Sequence, residues 1–220
     1  MRTSFKMVAA AVALGAAITG CGPVKMGAAA TIGDQRIATS QLNSVVTDWQ
    51  AEFARNSDAP LLQQQLRQEG QQVPADPDSP VRSALYQLIE FRVWDEVARR
   101  QGIPITPADI DQAVMANGGD RVINANLLAA DLPIRYGRDF VRSSLVMRAA
   151  AQQAGATLDP QAQIDPQRQQ AALRRLQQTY LAAATALHIN VNPRYGAYDP
   201  ARAGLAPVVH TLSKAEPGVR

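Results

Sequence analysis

Ser79-Pro80-Val81-Arg82-Ser83-Ala84-Leu85-Tyr86-Gln87-Leu88-Ile89-Glu90-Phe91-Arg92-Val93-Trp94-Asp95-Glu96-Val97-Ala98-Arg99-Arg100-Gln101-Gly102 is the stretch that decides the fold. Serine followed by proline reads as a helix start, because proline is already shaped for the first helical position. Gly102 reads as the stop. Between them Ala84, Leu85, Leu88, Ile89, Phe91, Val93, Trp94, Val97 and Ala98 cover a wide arc. A helix that is apolar over so much of its circumference touches several neighbours and sits centrally. The spacing predicts a helix over 81–101 with other helices packed around it.

Downstream, Thr106-Pro107-Ala108-Asp109 opens a second helix with a cap, a first-turn proline and an acid at the positive end. It should stop near Asn117-Gly118-Gly119. A helical stretch follows over 120–130. Asp131-Leu132-Pro133 reads as the start of another helix running to about Gly155, with Phe140, Ser144, Met147 and Ala151 on one face. Asp165-Pro166 opens the last helix, 167–187. Leu173, Leu176, Tyr180, Ala183 and Leu187 there form an interhelical seam. Its partner is another helix of the domain or a second copy of the chain, two alternatives the pattern leaves open.

Upstream, Ala29-Ala30-Thr31-Ile32-Gly33-Asp34-Gln35-Arg36-Ile37 reads as a hairpin turning on Gly33-Asp34. Thr39 or Ser40 then caps a helix to about Arg55, with Leu42, Val45, Val46, Trp49 and Phe53 on one side. The segment 56–80 reads as mostly irregular, with one short helix over 61–69 and a mobile, proline-rich loop over 70–80. At the far end His188-Ile189-Asn190-Val191-Asn192 alternates before Pro193, as a strand returning to the hairpin does. The expected fold is mainly α: five to seven helices, with a small sheet of two or three strands joining the ends of the domain.

The N-terminus carries a different message. Arg2 and Lys6 precede an apolar stretch from Met7 to Ile18, too short to span a bilayer, which needs about 20 residues. That pattern is an export signal. Ile18-Thr19-Gly20-Cys21 resembles a bacterial lipobox, and Cys21 is the sole cysteine. The resemblance implies cleavage before Cys21 and acyl chains on its sulfur, which leaves no thiol for disulfide or thiolate chemistry. Residues 1–20 are thus expected to be a lipoprotein signal peptide, 21–28 a lipidated tether, 29–200 the folded domain and 201–220 a disordered tail. Losing Arg2 and Lys6 takes the formal charge from +3 to +1. That near balance gives no nucleic-acid signature.

The order of these features resembles the N-terminal chaperone domain of the SurA, PrsA and trigger-factor-like foldases. The residues that carry it are Thr31-Ile32-Gly33-Asp34-Gln35-Arg36-Ile37 with Ser40 and Leu42, then Leu85-Tyr86-Gln87-Leu88-Ile89-Glu90 leading to Gln101-Gly102-Ile103. Ile105-Thr106-Pro107-Ala108-Asp109-Ile110 and the closing Val191-Asn192-Pro193-Arg194-Tyr195-Gly196 complete it. The match covers about 30–200. One departure matters: the parvulin isomerase domain those foldases carry is missing. The resemblance implies the binding module without the isomerase.

The polar residues offer no catalytic constellation. His188 and His210 are the only histidines, and neither has a carboxylate near it in sequence. Asp76 with Asp78, or Asp109 with Asp111, lack the dense spacing of a calcium loop. No catalytic residue, metal ligand or cofactor site is assigned. The residues singled out for binding clients are Trp49, Phe53, Trp94 and Tyr195, with core packing as the competing reading of each. The expected function is a lipid-anchored, extracytoplasmic holdase for unfolded or exported polypeptides, working without ATP. The alternative is an envelope assembly or structural lipoprotein with one dedicated partner, and a remote third is a prolyl-isomerase-related foldase.

Overall fold

The computed structural model describes residues 27–70, 76, 78–157, 165–206 and 208. Among them, in chain order, are strands β1 (Ala28–Ile32) and β2 (Gln35–Ala38) and helices α1 (Thr39–Phe53), α2 (Asp58–Gln68) and α3 (Pro80–Gln101). Helices α4 (Pro107–Ala116), α5 (Gly119–Ala129), α6 (Gly137–Ala154) and α7 (Pro166–Ala186) follow, then β3 (Asn190–Val191), β4 (Ala197–Asp199) and β5 (Gly204–Ala206). The fold is mainly α with small antiparallel sheets. No helix among the described residues is long and apolar enough to cross a membrane. The export signal, Cys21 and nearly all of the tether lie outside the described residues, as do most of the 70–80 loop and 209–220.

Helix α3 is the centre. Ser79 caps it, Pro80 fills its first turn, and Gly102 ends it in the left-handed conformation. It packs against α1, α6, α7 and β1. Leu85, Ile89, Val93 and Val97 are fully buried, and each such side chain contributes about 1.5–3 kcal/mol. The proline-and-cap signature recurs at α4, where Thr106 and Asp109 form a reciprocal capping box. It recurs again at α7, where the Asp165 carboxylate accepts from the amides of Gln167 and Arg168.

The N-terminal hairpin and the strand that follows α7 meet in a three-stranded sheet of order β2-β1-β3. Strand β1 pairs with β2 around the Gly33-Asp34 turn and with β3 through Ala30 opposite Val191. The returning strand therefore lies along β1 rather than β2. The Gly33 amide donates to the Leu187 carbonyl at 2.5 Å and fastens the turn to the end of α7.

Five local expectations are corrected. Helix α1 has no side-chain cap; its first residue, Thr39, donates instead through its backbone amide to the Gly27 carbonyl. Helix α2 begins at Asp58 because the Asn56 side chain accepts from the amides of Asp58 and Ala59. Asp131 does not open α6. It closes α5: its φ is +62°, its amide bonds to Leu128, and the Leu132 amide bonds back to Leu127. That is a Schellman end with aspartate where glycine is usual, and α6 begins later, at Gly137. Residues 204–206, expected in a disordered tail, form β5 against β4. On α7, Leu173 is exposed; the buried stripe runs through Ala172, Tyr180, Ala183 and Ala184 toward the rest of the domain.

Candidate functional site

The four aromatics expected to hold clients do not share a surface. Trp49 is buried against Ala59 and Leu128, and its indole N–H donates to the Leu128 carbonyl at 2.8 Å. Phe53 lies beside it, ring centres 5.4 Å apart, at the edge of the same small cluster. Trp94 packs against Tyr180 with the rings tilted 58° and their centres 5.1 Å apart, across the contact of α3 with α7. Tyr195 is buried in the main core beneath β4 and β5. Trp49 and Tyr195 are interior, and Trp94 and Phe53 are largely used by neighbours. Periodicity places such residues on the inner face of a helix without showing that a second helix closes over them.

An apolar groove does exist, elsewhere. Helices α4, α5 and α6 pack on one another in a triangle and leave an open hollow of about 550 Å³ between them. Val122 and Ile123 line it from α5, and Phe140, Val141, Leu145 and Met147 from α6. The positions on α6 recur at three- and four-residue spacing, so one helical face supplies the floor. Phe140, Ser144 and Met147 share this face as the sequence predicts. Ala151 instead turns into a separate buried cluster with Ala156 and Ala172.

The rim is polar. Asn117 and Asn126 each donate a side-chain N–H to a carbonyl one turn back on their own helix, Ala113 and Val122. Those bonds fix the amides and leave their oxygens as acceptors. Arg148 is the single charged residue of the lining. Gly118 makes the tight turn from α4 into α5 at φ +91°, where a Cβ would crowd the Val122 side chain. Val122 stays 42 % exposed at the mouth, and Met115 is 76 % exposed on the far side of α4. The groove thus combines a partly exposed apolar lining with fixed hydrogen-bond acceptors, the equipment for an extended chain whose backbone also needs partners.

A second polar region lies under the β4–β5 hairpin. Arg82 pairs with Asp76 at 2.6 Å and donates to the carbonyls of Tyr195 and Ala206 at 2.5 and 3.0 Å. It lines a smaller, more polar hollow of about 320 Å³ with Tyr86, Arg202 and Leu205. Deeper in, Tyr180 donates to the Glu90 carboxylate, and Tyr86 and Trp94 add further donors. Burial outweighs these and pushes Glu90 up to about 7. The tyrosines answer in kind: burial first, then the Glu90 charge, pushes Tyr86 and Tyr180 well above the ordinary phenol range. The cluster ties α3 to α7.

His188 is exposed and ends α7 in the left-handed conformation, φ +45°, with its amide on the Thr185 carbonyl. It is a helix-closing residue with no ion pair among the described residues. Asp76 is held by Arg82, and Asp109 by its capping box. No group of three histidine, cysteine or carboxylate side chains converges on a metal position among the described residues. No protein-family model, curated protein or solved structure matches the chain.

Proposed function

We propose that this protein is an extracytoplasmic lipoprotein, anchored by acyl chains on Cys21, that shelters unfolded or exported polypeptide segments in the α4–α5–α6 groove without ATP. The observation that carries the reading is the groove itself: exposed Val122 and half-buried Phe140, Leu145 and Met147 line it over a buried base of Ile123 and Val141, with acceptors fixed at the rim. Uncovered apolar surface of this kind favours association with other apolar surface. Without a deep, shaped pocket it favours many weak clients over one tight partner. The lipobox-like run ending in Cys21 and the resemblance to foldase chaperone domains support the same reading. Tethering raises the effective concentration of the groove where clients emerge.

The test is suppression of aggregation. The full chain carrying Cys21→Ser, at substoichiometric to equimolar amounts, is mixed with several unrelated aggregating proteins at two salt concentrations, and light scattering is followed. Suppression across clients at both salts is the expected result. Failure with every client overturns the holdase reading and leaves the alternative of a single envelope partner.

A further inference from the structure

We propose that the groove selects apolar segments bearing a carboxylate, an acidic side chain or a chain terminus, which pairs with Arg148. This rests on the polypeptide-binding reading and adds a rule for which segments bind. Arg148 lies in the wall of the groove on α6, is exposed, and has no ion pair or hydrogen bond among the described residues. Most other arginines of the domain are engaged: Arg82, Arg92, Arg99, Arg100, Arg121, Arg135, Arg138, Arg142 and Arg202 all sit within ion-pair distance of an acid. No acid lines the groove, so the complement to its one cation must come from the occupant.

The spacing of the carboxylate follows from α6. Phe140 and Arg148 are eight residues apart on one face, about 12 Å along the helix at 1.5 Å per residue. An extended chain advances about 3.3 Å per residue. A segment whose apolar anchor lies over Phe140 and Ile123 therefore presents a carboxylate to Arg148 about four residues away. The guanidinium fork donates to both carboxylate oxygens at once, which favours a carboxylate over an amide of the same shape. At an exposed rim the gain is modest and weakens with salt.

The experiment measures binding of fluorescent decapeptides to the full chain carrying Cys21→Ser by anisotropy. All share one apolar anchor, and the position four residues on is Glu, Gln or Lys. The expected order is Glu tighter than Gln by about 1.4-fold to fivefold, the range of an exposed pair, with Lys weakest and the differences shrinking in high salt. Arg148→Glu should reverse the order, and Arg148→Gln should level it. Arg148 is exposed, so neither change should disturb folding, which melting curves check. Equal binding of the three peptides, or an order unchanged in Arg148→Glu, overturns the selection rule while leaving the groove a polypeptide site. No binding of any peptide overturns the polypeptide reading together with the rule.

Discussion

Arg82 donates from Nη1 to the Tyr195 carbonyl at 2.5 Å, and that bond ties the first turn of the central helix to the C-terminal hairpin. The same guanidinium reaches the Ala206 carbonyl and the Asp76 carboxylate. Gly196 follows at once, at φ +101° and ψ −154°, a region open essentially to glycine alone. A Cβ there would overlap the Ala206 carbonyl and the Arg82 guanidinium. Arg82→Ala should cost about 1–3 kcal/mol by stranding buried acceptors. Gly196→Ala should cost a similar amount, about 1–3 kcal/mol, through backbone strain. Urea unfolding measures both. The double variant should cost less than the sum, because each change loosens the same hairpin.

Trp49→Phe should destabilise by about 1–3 kcal/mol, although the apolar ring is largely kept. The indole N–H is the donor to Leu128 at 2.8 Å; its removal leaves that carbonyl only the longer bond from the Asp131 amide, at 3.3 Å, and the smaller ring leaves a gap in the cluster. If Trp49 served clients instead, this variant would fold as well as the parent and lose holdase activity. Urea unfolding and light scattering on one sample separate the two.

Stability should fall as pH rises from about 4 to about 7. Burial raises Glu90 and Asp131 to about 7 each, above their ordinary carboxylate values. The folded state then binds more protons than the unfolded state across that window, so the favourable contribution present in acid is lost on passing the folded value. Asp131 Oδ2 is buried with no hydrogen-bond partner among the described residues. Asp131→Asn tolerates the same left-handed backbone and carries no charge. It should raise stability at pH 8, leave pH 4 nearly unchanged, and flatten the slope, by on the order of 1 kcal/mol or more. Denaturation midpoints at the two pH values give the answer. The opposite slope comes from Glu96, which Arg99 and Arg100 lower to about 2; its contribution is lost only in stronger acid.

Val122→Asp should leave stability within about 0.5 kcal/mol, as substitutions at exposed positions do, and should sharply reduce suppression of client aggregation. Leu61→Asp changes a side chain still more exposed, 68 % against 42 %, but on α2, outside the groove. It should change neither quantity. Equal losses in both variants would point to general surface stickiness rather than a site.

Local signals were the legible part. Prolines 80, 107 and 166 marked helix starts, Gly102 and Gly155 marked ends, and Gly33 marked the hairpin turn. Each acts through φ or a cap within a few residues, so one sequence suffices to see it. What the sequence hid depends on partners far along the chain. Strand β5 is held by an arginine more than 120 residues earlier. Trp49 is committed by a carbonyl 79 residues away. The groove is a gap among three helices; the apolar face of α6 was visible in advance, but not whether a neighbour covered it. Asp131 misled for a related reason: aspartate before Leu-Pro has the composition of a helix start, and only the preceding helix makes it an end.

The central claim is that the α4–α5–α6 groove holds unfolded polypeptide, and site-specific photo-crosslinking tests it most directly. A photoreactive residue is placed at Met147 in the groove, at Leu61 on α2, or at Trp49 inside the domain. Each protein is illuminated with an unfolded client. The account predicts strong crosslinking from position 147 and little from 61 or 49. Equal yields from 147 and 61, or capture from 61 alone, would contradict it.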